Sequence, residues 1–378
     1  MKRLGIFSFY DRDGVAGTYL SFLLRSLSAN MDTLVIAVNG IISNETMKLF
    51  KEYTAHILIR KNVGFDAGAY KDVILNYIGK KTIEEYEQII LCNDTFYGPF
   101  VPFEKILIDM DRKNVDFWGI NYVENNALSH IQSFFIVLND SIIKNGHLYE
   151  FFERYIDEKT TEIEDIYASF EIGIFDYLVK RGYRFAAYTK KNYCDIYKSS
   201  NYCIKSYNFP VMKRKSFCPL HYKRENVIDA LKYIEKYIDY DINLILQDAK
   251  RAYDFSYNRE SIINFPDLPS YEYKLPVMKT GSQEIIKFLN TNPKVYIYGT
   301  GIIARKILGL YYPYFQHVKG FVVSDDQYVN VNKFKGFEVL HVSKIEYAEA
   351  SVLVALNTEH SQAVKSNLKK CKKVLFLW

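Results

Sequence analysis

Apolar positions in the first third of the chain alternate between two periods. Leu4 to Phe9 is a short apolar run, after which Val15, Tyr19, Phe22, Leu23 and Leu27 recur at helical spacing. Leu34 to Val38 reads LVIAV, a continuous run of the kind found in strands buried on both faces. Ser43 or Asn44 can cap a short helix through Phe50. Ile57 to Ile59 predicts the next strand, Ala69 to Ile78 a helix, and Glu87 to Cys92 (EQIILC) another buried strand. This β-α-β order predicts a parallel sheet with helices on both faces, whose ligands sit at the carboxyl ends of the strands. Further strands are expected at Asp116 to Tyr122, Ile131 to Leu138 and Arg184 to Tyr188, with a helix from Ser169 to Arg181 stopped by Gly182.

The pattern changes at Val227. Leu231, Ile234, Ile238, Ile242 and Ile245 predict one long amphipathic helix that packs on the first domain. The stretch from Asn264 to Ser270 reads as a linker, and Pro276 adds a break. A second α/β unit follows, with strands at Lys294 to Tyr298, Gly320 to Val323, Ser351 to Leu356 and Lys373 to Leu377. These boundaries divide the chain into a first domain over 1–225, a helical connector over 226–280 and a small Rossmann-like domain over 281–378.

Composition narrows the function classes. With 378 residues, 49% hydrophobic and 25% charged, the chain has ample material for folded cores and is neither disordered nor collagen-like. A net charge of +5 falls short of a nucleic-acid binder but suits an anionic substrate or a peripheral approach to an acidic membrane. The five cysteines form no C-x-x-C, which argues against a disulfide framework and for a cytoplasmic setting. No apolar run approaches the ~18 residues that span a bilayer, and no signal peptide is read at the amino terminus.

Candidate chemistry clusters at the expected strand ends. In Asn62-Val63-Gly64-Phe65-Asp66-Ala67-Gly68 the glycines let backbone approach a ligand and Asp66 can accept from a sugar hydroxyl; a plain capped turn fits the spacing equally well. Asn93-Asp94-Thr95 offers Asp94 to a divalent cation on a diphosphate, or closes the strand as an ordinary turn. Glu171, read at a helix start, is either a general base or a favourable charge at the amino-terminal end of the helix. Trp118, His130 and Gln132 are polar or aromatic groups for sugar contact, with core packing as the alternative. The run Lys213-Arg214-Lys215 can meet a diphosphate and His221 a metal, although a solvated charged face is the commoner meaning. Gly299-Thr300-Gly301-Ile302-Ile303-Ala304 has the context of a nucleotide-binding turn, with Asp325 about 20 residues on as the ribose acid.

Taken in order, Asn62-x-Gly64-x-Asp66-x-Gly68, Asn93-Asp94-Thr95-x-Tyr97-Gly98-Pro99, Phe117-Trp118-Gly119, His130-Ile131-Gln132-Ser133-Phe134-Phe135 and Glu171-x-Gly173 resemble the rhamnan synthesis protein F family over about Met1 to His221. The resemblance implies a bacterial glycosyltransferase of surface-polysaccharide assembly with a GT-A-like fold. It further implies a nucleotide-diphosphate sugar donor (dTDP-rhamnose or a UDP-sugar) and Mg²⁺ or Mn²⁺ held by a D-x-D-like motif. Here that motif reads Cys92-Asn93-Asp94-Thr95, with one carboxylate. The reading that follows is an inverting hexosyl- or rhamnosyltransferase. Asn39, Asp66 and Gly68 contact nucleoside or sugar, Asp94 holds the cation, and Glu171 is the base. The acceptor is a lipid-linked saccharide at the inner face of the cytoplasmic membrane. The competing reading is a non-catalytic nucleotide-sugar-binding or assembly subunit that binds through Gly299 and Gly301; a dinucleotide-dependent oxidoreductase lacks any catalytic spacing near that turn.

Overall fold

The computed structural model describes residues 1–157, 159–189, 195–218, 224–266, 278–324 and 333–378. They form two compact units that interleave along the chain. The first comprises 1–123, 131–161 and 176–275; the second comprises 124–130, 162–175 and 276–378. The connector segment thus counts with the first unit, and two short early segments count with the carboxyl-terminal one.

In the first unit the continuous apolar runs become the central strands: β1 (Arg3–Phe9), β2 (Thr33–Asn39), β3 (His56–Arg60) and β4 (Gln88–Asn93). Short strands follow at β5 (Phe96–Tyr97), β6 (Phe117–Gly119), β7 (Tyr122–Val123) and β8 (His130–Ile131). Next come β9 (Phe135–Asn139), β10 (Phe185–Ala187) and β11 (Met212–Lys213). The main sheet runs β10-β6-β9-β4-β1-β2-β3. Its β4-β1-β2-β3 half is parallel, as the alternating pattern predicts, but β9 runs antiparallel to both neighbours, so the sheet is mixed. All six positions of β4 are buried, as a strand covered on both faces requires. The Tyr19–Ser28 helix buries Tyr19, Leu20, Leu23, Leu24 and Leu27 on one face, while Val15 lies outside it and is exposed.

Three elements depart from the predicted pattern. The helix expected from Ala69 starts at Phe65, where Gly64 takes the left-handed conformation (φ 69°), and from Asp72 to Ile78 it widens to a π-helix. The helix expected from Ser169 starts at Ile163, turns π-helical over Tyr167–Ile172 and continues as Gly173–Lys180. The long helix after Val227 is two helices, Arg224–Tyr237 and Ile242–Tyr253. Asp241 starts the second by accepting the Asn243 N–H, and this cap breaks a hydrophobic period that otherwise runs through.

The second unit holds β12 (Val295–Tyr298), β13 (Val318–Val323), β14 (Lys333–Phe334), β15 (Phe337–His341), β16 (Ser351–Val354) and β17 (Lys373–Phe376). Their order is β14-β15-β13-β12-β16-β17, parallel except for the β14–β15 pair. Ala127, Leu128 and Ile172, from the two early segments, lie in its core with Phe288, Val295, Ile307 and Leu353.

Candidate functional site

The carboxyl ends of β1 to β4 gather the polar residues of the first unit, and most of them bind one another. Asn39 donates to Ser8 Oγ at 3.0 Å and accepts from Arg60, so its amide is engaged inside the fold. Arg60, which carries no motif, also donates to Asp72 at 2.5 Å and to the Val63 carbonyl at 2.8 Å. It thereby pins the 61–64 loop to the helix behind it. Gly68 is required by this packing, since a Cβ there would stand 2.5 Å from the Val63 carbonyl and 2.9 Å from Arg60 Nη2. Asp66 accepts from the Ala67 N–H at 2.9 Å and from Asn93 Nδ2 at 3.0 Å, whereas the helix is capped by Gly64. Asn93 in turn accepts from the Thr95 hydroxyl at 2.7 Å, and Lys213 donates to that hydroxyl at 2.5 Å. Asn62 Oδ1 is buried without a hydrogen-bond partner among the described residues.

Asp94 follows directly on β4. Its side chain is 8% exposed, and Arg214 Nη1 stands 3.6 Å from its Oδ2. Burial pushes the carboxyl up to about 6 from its ordinary value, with Arg214 and the Tyr10 N–H opposing. The Asp94 carbonyl accepts from the buried Tyr19 hydroxyl at 2.7 Å. Burial works against the Arg214 charge, but Tyr19, Asp94, Tyr97 and Asp248 outweigh it and keep the guanidinium firmly protonated. The pairing of β5 with β11 sets Lys213 opposite Phe96 and carries Arg214 to Asp94. Lys213 also lies 4.4 Å over the Phe134 ring. The basic run is therefore not a solvated face: Lys213 is buried and Arg214 half-buried, and Lys215 is the exposed member.

The donor set fits a divalent cation only in company with a ligand. One carboxylate, beside a fixed guanidinium, leaves most of a hard cation's oxygen shell to water and to diphosphate oxygens. Among the described residues no three or more His, Cys, Asp or Glu converge to hold a metal unaided.

The other predicted residues separate. Trp118 is fully buried with its ring against Phe135, centroids 5.8 Å apart; the expected sugar platform is a core side chain. Gln132 accepts from Asn121 Nδ2 at 2.7 Å, within the first unit. Glu171 and His130, the first residue of β8 and the last of its segment, count with the second unit, where His130 Nε2 is 3.3 Å from Glu171 Oε1. The other ring nitrogen, Nδ1, stands 2.7 Å from the Leu128 carbonyl. Glu171 lies inside the π-helical turn rather than at a helix start, so attraction to a helix amino terminus does not account for it. Gly299 is needed for its own backbone (φ 106°), and a Cβ there would meet Leu356 at 2.7 Å. Gly301 opens the Ile302–Tyr311 helix with nothing within 4 Å of a Cβ. His221 and Asp325 lie outside the described residues.

These features define an α/β protein with its candidate site on the carboxyl edge of a mixed sheet. The profile of one family, rhamnan synthesis protein F, matches residues 34–283, and the chain belongs to that family. A relative from Sinorhizobium fredii (strain NBRC 101917 / NGR234), the uncharacterized protein y4gN, is 23% identical over 155 residues, 40% of this chain; the chain spans 39% of that relative's length. Among solved structures, a cytidylyltransferase from Leptospira borgpetersenii serovar Hardjo-bovis is similar with a TM-score of 0.38 and 11% identity, over 71% of this chain and 99% of that one. The glycosyltransferase GlyE of Streptococcus pneumoniae TIGR4 gives a TM-score of 0.35 and 11% identity, over 99% of this chain and 91% of its own. Likenesses at this level carry no argument about what this chain does.

Proposed function

We propose that the chain is a glycosyltransferase that moves a hexose, rhamnose in the family's namesake chemistry, from a nucleoside-diphosphate sugar to a growing surface polysaccharide. The observation that carries this reading is the meeting of Asp94, Arg214, Lys213 and Thr95 at the carboxyl end of β4. A buried lysine and a half-buried arginine beside a buried carboxylate suit a diphosphate, the more so if it arrives with a cation. Membership in the family supports the transferase class. Asn62 Oδ1, a buried acceptor without a donor among the described residues, suits a hydroxyl or N–H of the nucleotide.

The roles follow from chemistry. Lys213 and Arg214 stabilise the negative charge that grows on the diphosphate as the anomeric C–O bond breaks. Asp94 would hold Mg²⁺ or Mn²⁺, which when bound supplies further neutralisation of that charge. Glu171 takes the proton of the acceptor hydroxyl as its oxygen attacks the anomeric carbon from the opposite face, inverting it. The donor is dTDP-rhamnose or a UDP-sugar, and the acceptor a lipid-linked saccharide reached from the cytoplasm. Among the described residues no helix is long and apolar enough to cross a membrane.

The test is transfer from a panel of nucleotide sugars to lipid-linked acceptors. Asp94→Ala and Glu171→Gln are each expected to lose about 10²- to 10⁴-fold in rate. Full activity in either variant removes that residue from its role, and no transfer from any donor by the wild-type chain removes the reading.

A further inference from the structure

Asp248 carries a carboxylate with no exposed side-chain area, on the Ile242–Tyr253 helix of the connector segment. Nothing in the transfer chemistry above uses it. Arg214 Nε donates to its Oδ2 at 3.0 Å and Arg214 Nη2 to its Oδ1 at 3.3 Å. The Tyr97 hydroxyl donates to Oδ2 at 2.8 Å, and Arg251 Nη2 to Oδ1 at 3.4 Å. Arg251 also pairs with Asp11 at 2.6 Å, in the loop after β1. Gly17 closes the remaining side, since a Cβ at that position would meet Asp248 Oδ1.

A bidentate contact uses one edge of a guanidinium and fixes the direction of the rest. Here the Nε/Nη2 edge is spent on Asp248. The remaining nitrogen, Nη1, stands 3.6 Å from Asp94 Oδ2 and 3.5 Å from the Asp94 carbonyl. A buried ion pair is rarely a gain over apolar packing, so stability alone does not account for this one. Aiming a cation before the substrate arrives is a use for it, because the ordering is then done at folding rather than at binding.

The geometry points to Asp248 as the positioning residue that aims Arg214 at the diphosphate of the nucleotide donor. This inference rests on the transferase reading. It makes the connector helix part of the donor site.

The test is calorimetric titration of the full-length chain, in Mg²⁺, with UDP and dTDP and separately with UMP and dTMP. Asp248→Asn keeps the shape of the side chain and removes its charge. It is expected to weaken both diphosphates about tenfold or more and both monophosphates less than about twofold. Arg214→Lys keeps the charge without the fork and is expected to do the same. Should Asp248→Asn fail to fold by circular dichroism, two milder variants decide. Tyr97→Phe removes one donor to Asp248, and Gly17→Ala displaces Asp248 without changing any charge. Each is expected to weaken the diphosphates about threefold and to spare the monophosphates. Unchanged diphosphate affinity, or equal losses for both ligand types, overturns the inference while leaving the transferase reading in place. A wild-type chain that binds neither diphosphate overturns both.

Discussion

Asp94 is a carboxylate whose charge the fold disfavours. With its folded value pushed up to about 6 from an ordinary 3.8, the native state holds the proton more tightly than the unfolded chain. Below about pH 4 both states are protonated and the group is neutral in the balance. As pH rises from about 4 to about 6 stability falls, and above that the whole cost, on the order of 3 kcal/mol, is present. Asp94→Asn removes the titration. Its stability relative to wild type, measured by urea unfolding in the presence of a chelator, is therefore expected to climb between pH 4 and pH 7. A difference that stays flat with pH contradicts the assignment. At this scale the sequence was legible where a residue type can hardly do otherwise. An acid directly after a buried strand stands at the carboxyl edge, and Asp94 does. It was not legible where contacts join distant segments. Asp248 meets Tyr97 across 151 positions and Arg214 across 34, and neither pair leaves a mark in the local pattern. Trp118 shows the converse: beside a Gly at a strand end, the residue type suits a sugar platform but more often a core, and burial decides for the core.

Elements were legible where length and period agreed. β1, β2 and β4 are strands of six or seven residues built on apolar runs and stand where the pattern puts them. β5, β11 and β14 are two-residue strands, too short to carry a period, although the β5–β11 pair is what brings Lys213 and Arg214 to the site. The two π-helical turns were equally hidden, because one extra residue in a turn barely alters an apolar spacing. Two substitutions test the local account. Gly68→Ala sets a methyl against the Val63 carbonyl, which has no side-chain freedom to yield, and is expected to cost about 1–3 kcal/mol in denaturant unfolding. A neutral result would show that the 61–64 loop relaxes. Asp241→Ala removes the cap between the two connector helices and is expected to cost about 0.5–2 kcal/mol by the same measurement.

At the scale of the whole molecule the interleaving of the units was not legible, since hydrophobic patterning reports which face is buried and not against what. It has a direct consequence. A chain cut after residue 280 loses most of the second unit but keeps Ala127, Leu128 and Ile172, which belong to that unit's core. Such a fragment is expected to bind a hydrophobic dye and to aggregate where the full chain does not; a monomeric, dye-silent fragment would show that those segments are covered without residues 281–378. For the same reason a ligand test of the carboxyl-terminal turn belongs on the intact protein. Donor chemistry on the carboxyl edge of the first sheet can be seen in a crystal of the full chain soaked with UDP or dTDP and Mn²⁺. Diphosphate density is expected within hydrogen-bond reach of Lys213 and Arg214, with the cation on Asp94. Nucleotide density at Gly299–Gly301 alone, with the β4 edge empty, would contradict that placement.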